Sequence, residues 1–226
     1  MKLNEPIPKM DFVLPKVSFA ENGEKLVDLE KCSTKIVASP AYYQDGIPGA
    51  VNSCLARESV AQKLVGVAEK LPEGLKIKIF DAWRPFEVQK FLYDQYRVSV
   101  RADNPTLSEP EIDLEAQKFV SLPQKDIFDS PVHSTGGAVD LTLINQDGSE
   151  LNMGTAFDAF SEQSNTAYYE YAALVDDEAR DNRRLLYNLM IQAGFTNLPT
   201  EWWHFDYGDK FWAYYSNSTA IYTGIF

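Results

Sequence analysis

Two histidines occur in this 226-residue chain, and each stands at a short spacing from a carboxylate. His133 opens the stretch His-Ser-Thr-Gly-Gly-Ala-Val-Asp, which ends at Asp140, and His204 closes Glu-Trp-Trp-His, which begins at Glu201. Imidazole nitrogens and carboxylate oxygens are zinc donors, and a catalytic zinc takes three such ligands while keeping a position for water. His133, Asp140 and His204 supply that set. Water on such an ion has its pKa lowered to about 7, and Glu201 is then the candidate general base that takes its proton. Each residue alone has a plainer reading: a loop or core histidine for His133 and His204, a turn or strand-edge acid for Asp140, a solvated loop acid for Glu201. The joint pattern favours a metal site, because every histidine in the chain belongs to it.

Spacing raises one objection. Glu201 and His204 are three residues apart, and in a regular strand they would face opposite sides. Either the segment bends, or the base approaches from outside the ligand shell, with Trp202 and Trp203 packing around it. Arg84 is a second candidate. In Asp81-Ala-Trp-Arg-Pro it reads either as a turn residue in a surface ion pair of little energetic weight, or as a rigid cation aimed into a cleft, where it would stabilise an oxyanion.

The elements that must position these groups follow from periodicity. Leu75, Ile77 and Ile79 alternate with lysines, so the segment ending at Asp81 reads as a half-buried strand. Val139, Leu141 and Leu143 alternate with Asp140, Thr142 and Ile144, and that strand should end at the Asp147-Gly148 turn signal. The two glycines after His133 let the backbone turn sharply, so that His133 and Asp140 can converge. Helical spacing predicts helices over 55–71, over 86 to about 96, from Ser108-Glu109 to about 120, and over 177–193, with Gly194 as C-terminal stop. Short strands among separate helices, without a βαβ rhythm, give an α+β class with an antiparallel sheet.

Composition narrows the setting. Hydrophobic residues make up 45% and charged residues 24%, enough apolar surface for a core. A formal net charge of −12 argues against nucleic acid and against an anionic membrane surface as partner. A small zwitterionic or cationic ligand fits better. Cys32 and Cys54 have no paired spacing and read as reduced thiols. The stretch MKLNEPIPKMDFVLP is broken by prolines and charges, so it reads as neither export signal nor membrane span, and the expectation is a cytoplasmic protein. A chain trimmed of its signal would read the same way. The proline-punctuated residues 1–35 are expected to wrap, extended, around one domain covering 1–226.

At this point the motifs form a set. His133-Ser-Thr-Gly-Gly-Ala-Val-Asp140, Met153-Gly-Thr-Ala-Phe-Asp158, Asn182-Arg-Arg-Leu-Leu and Glu201-Trp-Trp-His204, with Asp81-Ala-Trp-Arg84-Pro before them, resemble the D-alanyl-D-alanine dipeptidase family over about residues 54–207. The resemblance implies a zinc peptidase with a small antiparallel sheet flanked by helices, a fold shared with DD-carboxypeptidases and the hedgehog signalling domain. It implies that His133, Asp140 and His204 hold one zinc ion, and that Glu201 acts as base and then as acid to the leaving amine. Arg84 would stabilise the tetrahedral intermediate, and Asp158 would hold the ammonium of a small dipeptide; Asp158 otherwise reads as a turn or helix-capping acid. One position departs from the family: Pro131 stands where a serine is usual, two residues before the first zinc histidine, and offers neither hydroxyl nor backbone donor. That bears on substrate preference more than on hydrolysis. Two other readings stand beside the dipeptidase. One is a D,D- or L,D-carboxypeptidase on wall peptides, disfavoured by the missing export signal. The other is a zinc-containing binding domain without turnover, disfavoured by Glu201 and Arg84. Oligomeric state is not legible.

Overall fold

The computed structural model describes residues 3–117, 119–159 and 161–226. Its main sheet has five strands in the order β2 (Ile36–Ala38), β4 (Lys76–Asp81), β5 (Ala138–Ile144), β7 (His204–Asp206) and β6 (Thr196–Asn197). All neighbours run antiparallel except β2, which lies parallel to β4 at one edge. A separate two-stranded ribbon pairs β1 (Leu26–Asp28) with β3 (Leu55–Arg57). The α+β class read from the sequence is therefore the observed one, with a parallel edge strand added.

One face of the sheet builds the core. Helix α2 (Glu58–Lys70) buries Val60, Leu64 and Val67, and helix α6 (Asp177–Gln192) buries Leu186, Leu189 and Met190. Both sets pack on Ile77 and Ile79 of β4, on Val139, Leu141 and Leu143 of β5, and on Phe205 of β7. This is the alternation expected of strands with one apolar face. The other face carries Asp140, Thr142, His204 and Asp206, and it too is buried. Helix α1 (Ala41–Gln44), helix α3 (Phe86–Asp103) and the loop 119–131 stand around that face, together with the described residues of the segment 153–166 that leads to helix α5 (Tyr168–Tyr171), while helix α4 (Glu109–Ala116) packs on α3.

Several boundaries differ from the sequence reading. The helix expected over 55–71 begins only at Glu58, because Leu55, Ala56 and Arg57 pair with Asp28, Val27 and Leu26 as strand β3. Helix α3 runs to Asp103 rather than 96. Arg97 and Arg101 both reach Glu109 at the start of α4 and hold its last turns. Helix α4 ends at Ala116, and of the expected extension to 120, residue 118 lies outside the described residues. Gly194, with φ of 90°, follows the Ala193 cap of α6 in the left-handed conformation that glycine adopts freely.

Residues 1 and 2 of the expected extended segment lie outside the described residues. From residue 3 onward the chain has little regular structure before β1, and it crosses the C-terminal part of the protein. Ile7 N–H donates to Glu170, Asn188 donates to the Glu5 carbonyl, and Phe19 bridges Ala220 just beyond helix α7 (Lys210–Tyr215). Within the expected segment Leu26–Asp28 form β1, and β2 begins just past its end, at Ile36. Among the described residues no helix is long and apolar enough to cross a membrane.

Candidate metal centre

Strand pairing assembles the site. Asp140 on β5 lies directly opposite His204 on β7, and opposite Asp81 on β4. Cross-strand partners share a face with Cβ atoms about 4.5–5.5 Å apart, so register alone brings together residues far apart in sequence. A bulge between Ile79 and Asp81 re-aims the Asp81 side chain. His133 enters from a 3-10 turn, Val132–Thr135, just ahead of β5. Gly136, with φ of 73°, ends that turn in the left-handed region, and Gly137 passes so close to Tyr207 that a Cβ would lie 2.5 Å from its carbonyl oxygen. The Arg84 backbone N–H donates to the His133 carbonyl, tying the end of β4 to the turn.

The donor atoms converge. His204 Nδ1 lies 3.0 Å from Asp140 Oδ1 and 3.2 Å from His133 Nε2, which is 3.3 Å from Asp140 Oδ2. One donor atom from each of the three residues lies within 4.8 Å of the others, and all three residues are buried. The outer imidazole nitrogens are already engaged: His133 Nδ1 is 2.8 Å from the Ala82 carbonyl and 3.2 Å from Asp81 Oδ2, and His204 Nε2 is 2.8 Å from Asp206 Oδ1. With protons on those outer nitrogens, the inner nitrogens face each other and Asp140, and they need a positive charge between them, whether a proton or a metal ion. Outer hydrogen bonds of this kind orient metal-binding histidines. The donor set thus fits zinc.

Charge balance points the same way. Asp81, Asp140 and Asp158 act on the Arg84 guanidinium, while Asp140, Glu201 and Asp206 stand around the His204 imidazole. Burial alone would raise the pKa of Asp140, but His133 and His204 beside it hold the carboxyl well below the usual range. Burial opposes the charged form of His204, yet Asp206 and Asp140 outweigh it and hold that imidazole well above its ordinary value. The cluster therefore stabilises positive charge at its centre.

Glu201 resolves the parity objection. The chain turns at Trp202 and Trp203, with His204 N–H closing on the Glu201 carbonyl, so β7 begins only at His204. Glu201 Oε2 thereby comes to 3.8 Å from His204 Nδ1. Its carboxyl is pushed up to about 7, by burial first and by Asp140 and Asp158 in addition, with His204 opposing. Trp202 and Trp203 are buried, and Trp202 Nε1 donates to Thr155 Oγ1.

Arg84 is not a surface ion pair. It donates from Nε to Asp81 Oδ2 at 2.8 Å and from Nη1 to Gln89 Oε1 at 2.8 Å, and Nη2 lies 3.7 Å from Asp140 Oδ2. Its guanidinium stacks over Tyr42, with Cζ 4.9 Å from the ring centre. The Tyr42 hydroxyl donates to Asp158 Oδ2 at 2.9 Å and so links Asp158 to the arginine. Asp158 sits at φ of 59°, uncommon for a non-glycine residue. Its carboxyl is pushed up to about 6, by burial first and then by Asp140, against Arg84 and Tyr42.

All six residues singled out in the sequence line one cavity of about 1140 Å³. Tyr42, Gln89 and Asp206 were not singled out. Asp206 carries a readable signal, since it lies two residues after His204 and so on the same face of a strand. Tyr42 and Gln89 carry none. Pro131 lines the cavity, whereas the neighbouring Ser130 is buried against Gly224, so the position of the family serine presents a ring and no hydroxyl.

Comparison with known proteins adds lineage. The profile of the M15 peptidases described as D-ala-D-ala dipeptidase matches residues 25–221. A D-alanyl-D-alanine dipeptidase of Synechocystis is 33% identical over 156 residues, 63% of this chain and 63% of that protein. The aligned stretch thus spans just under two thirds of that relative. A D-alanyl-D-alanine dipeptidase of Escherichia coli is 27% identical over 77% of this chain and 74% of its own length. Among solved structures, VanYB in complex with D-Alanine-D-Alanine superposes with a TM-score of 0.45 at 16% identity, covering 75% of this chain and 82% of that one, a likeness too slight to bear on the reading. With motifs and profile agreeing over most of its length, the chain belongs to the D-ala-D-ala dipeptidase family of peptidases.

Proposed function

We propose that the protein is a cytoplasmic, zinc-dependent D,D-dipeptidase, one peptidase domain over 1–226, hydrolysing D-Ala-D-Ala or a close relative to free amino acids. The observation that carries the reading is the convergence of His133 Nε2, Asp140 and His204 Nδ1 with both outer imidazole nitrogens already engaged. These three residues would hold one ion. Zinc, when bound, supplies Lewis acidity that polarises the scissile carbonyl and lowers the pKa of a coordinated water.

The remaining chemistry belongs to the chain. Glu201, with its carboxyl near 7, takes a proton from the attacking water at neutral pH and returns it to the departing amine. Arg84 is held by Asp81, Gln89 and Tyr42 and lines the cavity, where its guanidinium donates to the oxygen that gains charge as the carbonyl carbon becomes tetrahedral. Fixed in advance, the guanidinium costs little to reorganise at the moment of reaction. Asp158 accepts from the free ammonium at the other end of the substrate.

The cavity favours a second reading. Its volume lies above the usual range of about 300–1,000 Å³ for small-molecule sites and far exceeds the need of two alanines. It is not the small enclosure that would restrict the enzyme to dipeptides, so discrimination by length falls to Asp158. If Asp158 does not discriminate, the site is open to a carboxypeptidase acting on longer wall peptides. Purified protein offered D-Ala-D-Ala, L-Ala-L-Ala and a muropeptide pentapeptide, with and without chelator and added zinc, separates these. Zinc-restored cleavage of the D,D-dipeptide is expected. Cleavage of the pentapeptide alone would replace the proposal by the second reading, and hydrolysis indifferent to chelator would remove the metal from both.

A further inference from the structure

Arg183 has no part in the chemistry above. It sits in the Asn182-Arg-Arg stretch of α6, is 2% exposed, and among the described residues has no carboxylate at ion-pair distance. A buried guanidinium without a carboxylate in direct contact is costly unless its donors find other acceptors. Here each of its three nitrogens donates to a backbone carbonyl of one segment. Nε donates to the Met153 carbonyl at 2.7 Å, Nη1 to the Asn165 carbonyl at 2.8 Å and Nη2 to the Gln163 carbonyl at 2.9 Å. The face of the guanidinium packs on Tyr169 at 4.7 Å and on Trp202 at 5.8 Å. Burial lowers its pKa to about 10, which leaves it charged at neutral pH.

The three carbonyls mark the two ends of a single loop. Between Met153 and Gln163 lies Asp158, at its unfavourable positive φ. Phe157 beside it stacks on Phe80 with ring centres 4.5 Å apart. The same loop is joined to the turn that carries Glu201, because Trp202 N–H donates to the Ser164 carbonyl and Trp202 Nε1 to Thr155. Asn182, next to Arg183, donates to the Asn152 carbonyl at the near end. A planar fork with donors in fixed directions suits this task; a lysine ammonium does not span three carbonyls in the same way.

We infer that Arg183 is a positioning residue for substrate selection: it clamps both ends of the 153–165 loop, and so fixes the Asp158 carboxylate where a dipeptide's ammonium must lie. The inference rests on the ammonium role proposed for Asp158. It makes Arg183, remote from the reacting atoms, a determinant of whether the enzyme requires a free amine. The cavity is too large to impose that requirement by shape.

The test compares D-Ala-D-Ala with its N-acetyl derivative, as substrates or competitive inhibitors, in wild type, Arg183→Met, Arg183→Lys, Asp158→Asn and the double variant Arg183→Met/Asp158→Asn. Zinc content is measured throughout. Arg183→Met should keep its zinc and raise KM for the free dipeptide about tenfold or more, by displacing the carboxylate on the ångström scale. kcat should change much less, the N-acetyl derivative should be nearly unaffected, and Arg183→Lys should recover part of the loss. The double variant should be little worse than Asp158→Asn, since coupled residues are not additive. Hydrogen exchange in 153–166 should quicken in Arg183→Met. Unchanged preference for the free amine in Arg183→Met, or losses that multiply in the double variant, would overturn the inference. An Asp158→Asn variant that keeps the preference would instead refute the role of Asp158. If Arg183→Met does not fold, Arg183→Lys carries the same comparison, and a drop in thermal stability with equal losses for both ligands would mark a merely structural role.

Discussion

Asp206 offers the most quantitative test of how the metal centre is held. It is fully buried, and its Oδ1 lies 2.8 Å from His204 Nε2. This contact fixes the proton on the outer nitrogen and leaves Nδ1 free to face Asp140 and His133. Asp206→Ala removes the acceptor and strands a buried N–H. A hydrogen bond to a charged group contributes roughly 1.5–3 kcal/mol, and at about 1.36 kcal/mol per decade that is roughly a 10- to 150-fold loss of zinc affinity. The value agrees with the 10- to 100-fold losses typical when outer partners of metal ligands are removed. Asp206→Asn keeps an oxygen acceptor but loses the charge, so its loss should be smaller. Competition with a chromophoric zinc chelator at neutral pH measures both, with circular dichroism of the metal-free proteins as the control for folding. Wild-type affinity in a folded Asp206→Ala protein would refute the argument that this contact orients His204. Asp209 bears on the comparison: burial first, and Asp206 next to it, hold its carboxyl well above the usual range, so removing Asp206 also relieves a crowded acid pair.

Three further outcomes follow. Glu201→Gln should retain zinc and lose about 10²–10⁴-fold in turnover, measured on D-Ala-D-Ala; turnover within a few-fold of wild type would remove Glu201 from the chemistry. Asp158, with its carboxyl near 6, is ionised above that pH and neutral below it. Affinity for a free dipeptide should therefore fall as pH drops through 6, while that of an N-acetylated one stays flat, read from inhibition constants across pH 5–8 as an approximate working range. Glu21 and Glu24 are held below 4.5, because hydrogen bonds from Thr223 and Ser59, with Arg57 beside Glu21, outweigh the opposing effect of burial. Their contribution to stability is present above 4.5 and is lost as pH falls below it, so the urea midpoint should decrease on acidification, and less so in Glu21→Gln.

The core of the site was legible because it obeys strand rules. Val139, Leu141 and Leu143 face the helices, and that alone places Asp140 on the opposite face, where it meets His204 by register. The turn at Trp202-Trp203 was not legible: two buried indoles read equally as strand, and only their packing against Thr155 and the core shows the bend that brings Glu201 round. Strand β3 was hidden because Leu55-Ala56-Arg57 continues a helical pattern, and its partner Leu26-Val27-Asp28 lies too far away in sequence to be seen. Tyr42 could not be found from spacing, since its role arises from stacking under Arg84. The polar face of the sheet was expected to be half exposed. It is buried because the segment 153–166 folds over it, and no local pattern shows where a loop will pack.

The central claim is that one cation is held between two particular imidazole nitrogens and one carboxylate. Anomalous diffraction at the zinc edge, on crystals of the zinc-loaded protein, tests it directly. A single strong peak is expected within about 2.0–2.2 Å of His133 Nε2, His204 Nδ1 and an Asp140 oxygen. A peak elsewhere, or ligation through His133 Nδ1 or His204 Nε2, would contradict it.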